Sequence, residues 1–166
     1  AALMGCERTT FRNNEVWWRS AVTAGIQSCL DIQVRGSDTA GYSTYWIYNN
    51  TAYSLSGSAS NISMATIRTN QDTANLEARN NAVYGVNGSA TRQVFRPLPF
   101  FTIANAVESN NLLTVPATDF TDPGSDDLSV ASGATLIDAG TTVPVYFDKG
   151  RNARNGTLDV GAFERV

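Results

Sequence analysis

Short runs of alternating apolar and polar residues, each broken by an asparagine pair, fill most of residues 1–115. Four runs carry the pattern: Phe11-Arg12-Asn13-Asn14-Glu15-Val16-Trp17, Ile47-Tyr48-Asn49-Asn50-Thr51-Ala52-Tyr53, Ala78-Arg79-Asn80-Asn81-Ala82-Val83-Tyr84 and Glu108-Ser109-Asn110-Asn111-Leu112-Leu113-Thr114. They are rich in Val, Ile, Thr, Tyr and Trp. No stretch repeats apolar residues at helical spacing over several turns, so the pattern predicts strands and argues against helix almost everywhere.

The pairs recur 36, 31 and 30 residues apart. A period of that length marks a unit that buries its apolar face by stacking on copies of itself, which predicts a solenoid. Asn tolerates the left-handed backbone region better than any other non-glycine residue, so one Asn of each pair is expected to turn a corner between two strands. Stacked at strand spacing, equivalent Asn side chains can pass amide hydrogen bonds from rung to rung. Asn13, Asn14, Asn49, Asn50, Asn80, Asn81, Asn110 and Asn111 are therefore the expected structural ladder, and spacing leaves open which of each pair points inward. Further extended runs around Ile32-Gln33-Val34, Met64-Ala65-Thr66-Ile67 and Phe100-Phe101-Thr102-Ile103 supply the other sides. Residues 35–41, 54–60, 70–73 and 86–90 have loop composition.

Aligning the rungs on the pairs puts Val16, Ala52, Val83 and Leu113 at one position, suited to the interior. Trp17, Tyr53, Tyr84 and Thr114 fall at the next position and should face outward. An external row of rings at rung spacing is a platform for the apolar faces of sugars. Self-stacking, cover by a loop and an oligomer contact are the alternatives. On the sugar reading, replacing Trp17, Tyr53 and Tyr84 by Ala abolishes binding and leaves the fold intact. One position before the pairs, Arg12, Tyr48, Arg79 and Ser109 should also face solvent. Two guanidinium groups flanking a tyrosine could hold the carboxylates of an acidic polysaccharide, or be ordinary surface arginines.

The last third changes register, with Asp119-Phe120-Thr121-Asp122-Pro123-Gly124, then Gly133-Ala134-Thr135-Leu136-Ile137-Asp138-Ala139-Gly140, then Arg154 through Glu164. Ile137-Asp138-Ala139-Gly140 and Asp159-Val160-Gly161-Ala162-Phe163-Glu164 resemble the closing segment of secreted bacterial right-handed parallel β-helix proteins of the pectate-lyase-like superfamily. A Ser-Pro usual there is replaced by Ala134-Thr135. The resemblance implies an all-β, right-handed single-stranded parallel β-helix of about four coils over residues 1–115, with residues 116–166 as a tail that packs on or caps it. It also implies an exported bacterial protein, extracellular or on the cell surface. Fold of this kind does not fix an activity.

Composition narrows the chemistry. The net charge is −3 without a basic cluster, which argues against nucleic acid as a partner, and no run reaches transmembrane length. The superfamily's lyases use Lys or Arg, often with calcium. This chain has no His, and its one lysine, Lys149, lies in the tail. Arg12, Tyr48 and Arg79 are the remaining weak catalytic candidates, without a motif around them. A glycosidase needs two carboxylates across a cleft, and Glu15, Asp31, Glu77 and Glu108 are scattered. Asp119, Asp122, Asp126 and Asp127 could offer oxygen ligands to calcium, although the Pro123-Gly124 turn explains them equally; no cofactor is expected otherwise. Asp138 and Asp159 read as acceptors of backbone hydrogen bonds in turns. Cys6 and Cys29 lie about one coil apart and could pair as a disulfide or remain buried thiols. The sequons at Asn49, Asn61, Asn87 and Asn155 read as turn and ladder chemistry.

The chain begins close to its first Asn pair without a start Met, which leads to the expectation of a C-terminal portion of a larger protein or a processed product. The strand edge above Thr9-Thr10-Phe11 would then be open to a loop, another chain or a further copy. Three functions follow: a noncatalytic module that binds carbohydrate or serves as an assembly surface, the C-terminal part of a polysaccharide lyase acting on acidic polysaccharide, and a structural subunit of an extracellular complex or filament.

Overall fold

The computed structural model describes residues 2–4, 8–18, 25–34, 43–69, 74–98, 105–154 and 156–165. Cys6, Asn155, the loops at 35–41 and 70–73 and the run at 100–103 lie outside them. Among the described residues eleven strands precede the tail, the first nine of them in triplets. The first triplet is β1 (Ala2–Met4), β2 (Arg8–Arg12) and β3 (Glu15–Trp18), and the second is β4 (Gly25–Val34), β5 (Ser43–Tyr48) and β6 (Thr51–Ser54). The third is β7 (Ala59–Thr69), β8 (Ala74–Arg79) and β9 (Ala82–Gly85), followed by β10 (Thr91–Pro97) and β11 (Asn105–Ser109).

Every third strand joins the same sheet. The orders are β1-β4-β7-β10, β2-β5-β8-β11 and β3-β6-β9, and all pairings are parallel. A parallel bridge from Ala82 to Leu112 carries the third sheet into a fourth winding. The result is an all-β, solenoid-like stack of three parallel sheets. Parallel strands need covered faces and long crossovers; here the other two sheets supply the crossover and the cover.

The register is the one set by the asparagine pairs. Arg12 pairs with Tyr48, Tyr48 with Arg79 and Arg79 with Ser109. Val16, Ala52 and Val83 form one column, and Trp17, Tyr53 and Tyr84 the next. Side-chain alternation then decides burial: Ile47, Ala52, Ala78 and Val83 are all fully buried in the central cluster. In the first sheet the alternation is interrupted at one height. Cys29 and Leu30, Met64 and Ala65, and Val94 and Phe95 are consecutive residues that are both buried. Cys29 carries a free thiol 3.9 Å from the Met64 sulfur, and burial pushes its pKa up to about 12. Its expected partner, Cys6, is outside the described residues.

The tail adds two short 3-10 turns and an antiparallel pair, β12 (Phe120–Asp122) with β13 (Asp127–Val130). Tail residues Phe120, Leu128, Val130, Leu136 and Val160 form a second core with Tyr53, Ala82 and Val115 of the stack. The tail therefore lies along the flank of the stack and contacts every winding from the fourth to the first.

Candidate functional site

The two asparagines of each pair divide their labour. Asn13, Asn49, Asn80 and Asn110 hold φ of 53°, 51°, 57° and 52°, so the first of each pair turns the corner in the left-handed region. The second points inward and builds the ladder: the Asn14, Asn50 and Asn81 side-chain amides donate to the next Asn Oδ1 at 3.0, 2.9 and 2.8 Å, ending on Asn111. Each accepting Oδ1 also takes the backbone N–H of the preceding Asn, at 3.0 to 3.1 Å. Of the eight asparagines expected to build the ladder, the second of each pair does so and the first makes the corner, because a left-handed residue swings its own side chain out and delivers the next one inward.

The outward amides have a different use. Asn110 donates to Ala139 O at 2.9 Å, Asn80 to Thr141 O at 2.7 Å, Asn49 to Asp159 O at 3.2 Å and Asn13 to Phe147 O at 2.6 Å. One corner residue on each winding thus holds the tail. Asn80 is held twice more, since its Oδ1 accepts Thr141 N–H at 2.8 Å and its carbonyl accepts Gly161 N–H at 2.8 Å. Gly161 sits at φ +103°, and a Cβ there would lie 2.8 Å from Thr51 Oγ1. Thr51 Oγ1 accepts the next N–H, from Ala162, at 3.0 Å, so the Asp159–Glu164 motif is shaped by close approach to the stack.

The aromatic column forms, but it does not face solvent. Trp17 and Tyr53 have ring centroids 5.0 Å apart and Tyr53 and Tyr84 4.4 Å apart, the latter pair stacked. Phe120 of the tail closes edge-on over Tyr53 at 5.4 Å, leaving Tyr53 3% exposed and Trp17 and Tyr84 half-buried. Burial, then the neighbouring Tyr84, raise the Tyr53 hydroxyl to about 12. The expected open sugar platform is corrected to the floor of a second core. Alternation placed these rings outside their own sheets, and the apolar tail was the surface they required.

The neighbouring row is engaged as well. Arg12 donates to Pro144 O at 3.2 Å. Tyr48 is 3% exposed beneath Val143, Val145 and Leu158, and its hydroxyl pKa is raised by burial and then by Glu77. Arg79 Nε lies 2.7 Å from Glu77 Oε1. The expected solvent-facing groove of Arg12, Tyr48 and Arg79 is therefore broken in its middle, where Tyr48 is covered.

The polar chemistry of the tail centres on Arg154, whose guanidinium is buried. It bonds Glu164 Oε2 at 2.7 Å, Gly161 O at 2.9 Å, Asp159 O at 3.3 Å and Asn13 Oδ1 at 3.3 Å. Desolvation lowers its pKa and raises that of Glu164, opposed in each case by the other's charge. Asp159 accepts Asp138 N–H at 2.8 Å and Arg165 N–H at 2.7 Å. Asp148 accepts Asn152 N–H at 2.6 Å and Glu164 N–H at 2.9 Å. Lys149 pairs with Glu15 on the first winding. The spacing of Arg154, Asp159 and Glu164 is the signal the sequence offers, and these side chains fasten the tail to itself and to Asn13.

The acids weighed as calcium ligands have structural work. Asp119 is buried and accepts the Thr135 N–H at 3.0 Å and its hydroxyl. Asp127 accepts Ser129 N–H at 2.9 Å, and Asp122 and Asp126 flank the Pro123–Ser125 turn. Among the described residues, no helix is long and apolar enough to cross a membrane. Comparison with protein families, with curated proteins and with solved structures finds no match to this chain.

Proposed function

We infer that the chain is a right-handed parallel β-helix segment of an exported protein, noncatalytic as it stands, that serves as an assembly surface. One observation carries this reading: the columns with recognition chemistry are used to bind the chain's own tail. The rings of Trp17, Tyr53 and Tyr84 lie under Phe120, and the corner amides of all four windings donate to tail carbonyls. The tail motif, similar to that of secreted members of the pectate-lyase-like superfamily, supports the handedness and the exported location.

Carbohydrate binding through the aromatic column requires the tail to leave, and a lyase groove along Arg12, Tyr48 and Arg79 requires Tyr48 to be uncovered. Both rank below the assembly reading. The test is to assay the protein on acidic polysaccharides for unsaturated uronate products, and on a glycan array, beside light scattering. The expected result is neither product nor glycan retention, with concentration-dependent association. Sugar binding that the Trp17→Ala, Tyr53→Phe and Tyr84→Phe changes weaken without loss of fold would overturn it.

A further inference from the structure

The segment from Asp159 to Glu164 fastens the tail to the stack. Asn49 donates to Asp159 O at 3.2 Å, Gly161 N–H to Asn80 O at 2.8 Å and Ala162 N–H to Thr51 Oγ1 at 3.0 Å. Arg154 adds the first winding, through Asn13 Oδ1 at 3.3 Å. A short clasp thus reaches three windings.

The charges inside this clasp do not balance. One buried guanidinium, that of Arg154, faces the carboxylates of Glu164, Asp148 and Asp159. Two of the three are committed as acceptors: Asp159 takes the Asp138 and Arg165 N–H groups, and Asp148 takes Asn152 N–H, Asn152 Nδ2 at 3.1 Å and Glu164 N–H. Glu164 differs. Its side chain is 7% exposed, and both bonds to it, from Arg154 and from Asp159 N–H at 3.2 Å, fall on Oε2. Its Oε1 can therefore carry a proton while both bonds remain.

We propose that this clasp is linked to proton uptake: it closes on the stack with a proton on Glu164 and loosens as the pH rises to neutral. Excess negative charge is the reason, since bringing a third carboxylate out of water beside two others disfavours its ionised form. The remaining charges nearby are paired or in solvent. Lys149 pairs with Glu15 and lies over the Phe163 ring, while Asp138, Arg151 and Arg165 are exposed. From the stack the clasp meets Asn13, Asn49, Thr51 and Asn80, all neutral. The linkage goes beyond the assembly reading and does not depend on it.

The direction follows from the closed and open states. Burial is the largest influence on Glu164 in the closed clasp and raises its pKa, with the Asp159 charge, against the Asp159 N–H and Arg154. In the open clasp the carboxyl returns to water and to its ordinary value. Between those two values the closed state binds the extra proton. Closure is therefore favoured in full below the ordinary value, and that advantage is lost as the pH rises through the raised one. Mild acid tightens the clasp, and neutral solution relaxes it.

The experiment is hydrogen exchange on the whole chain at about pH 5 and about pH 7.5, corrected for the intrinsic rate at each pH. The Gly161, Ala162 and Glu164 amides should lose about three- to tenfold of their protection at the higher pH, while those of β7 and β8 keep theirs. Glu164→Gln, a neutral side chain that keeps the acceptor oxygen, should remove the difference. Protection of the clasp that is equal or greater at the higher pH overturns the proposal, as does a difference that Glu164→Gln preserves. Where the Gln side chain itself disturbs the clasp, the carboxyl carbon shift of Glu164 in the wild type decides by NMR titration. A midpoint above the ordinary Glu value supports the linkage, and one at or below it sinks it.

Discussion

The stack and the tail reach order by opposite routes. In the stack, one unit is repeated: the same corner, the same inward amide and the same apolar position recur at each winding, and each contact has a copy above or below it. In the tail nearly every contact is singular. Arg154, Asp159, Asp148 and Gly161 each satisfy a different set of backbone groups, and regular pairing is limited to β12 and β13. Repetition spreads stability over neighbours, so the stack should fail as a unit. A scaffold of singular contacts should fail piece by piece.

Substitutions can sharpen that contrast. Asn81→Leu should be the most damaging, because Asn81 is fully buried and exchanges hydrogen bonds with both adjacent windings. Several stranded donors and acceptors should cost about 4 kcal/mol, read as a shift of the whole denaturation curve. Tyr53→Ala should follow at about 3 kcal/mol, the cost of emptying a large buried aromatic site. Because Tyr53 belongs to the tail's core, hydrogen exchange should rise first over Phe120 to Val130. This replaces the expectation that removing the rings leaves the fold untouched.

Asn80→Gly should be milder, about 1 kcal/mol. Glycine keeps the left-handed corner but loses the bonds to Thr141, so exchange should quicken near Thr141 while the strands stay protected. A global loss equal to that of Asn81→Leu would erase the distinction between ladder and corner. The smallest effect belongs to Cys29: in a Cys6→Ser background its buried thiol should react with iodoacetamide only as fast as the chain unfolds. Rapid labelling would show that the stack opens locally.

Much of the stack was legible because its physics is periodic. The Asn pairs fixed the register, and the alternation of Val16 against Trp17 named the two columns correctly. What alternation cannot say is what lies beyond a sheet's outer face. Trp17, Tyr53 and Tyr84 were placed outside the sheets, yet their cover is built from Phe120, Leu128 and Val130, residues far along the chain with no repeat to align them. The role of Arg154 is hidden for the same reason, since its partners Asn13 and Glu164 become neighbours only once the tail is laid down. Which Asn of each pair takes the corner and which the ladder was hidden by identity, as backbone angle and not side-chain type separates them.

The bonds from Asn110 to Ala139, from Asn80 to Thr141 and from Asn13 to Phe147 make the tail a gauge. A solenoid without such a strap can gain or lose a repeat by duplication at little cost, because each unit meets only its neighbours. Here one more turn would lengthen the flank by about 4.8 Å and leave the C-terminal segment short of its anchor points. The number of windings between Asn13 and Asn110 is measured against a fixed length, which makes this part of the stack hard to lengthen by copying its own units.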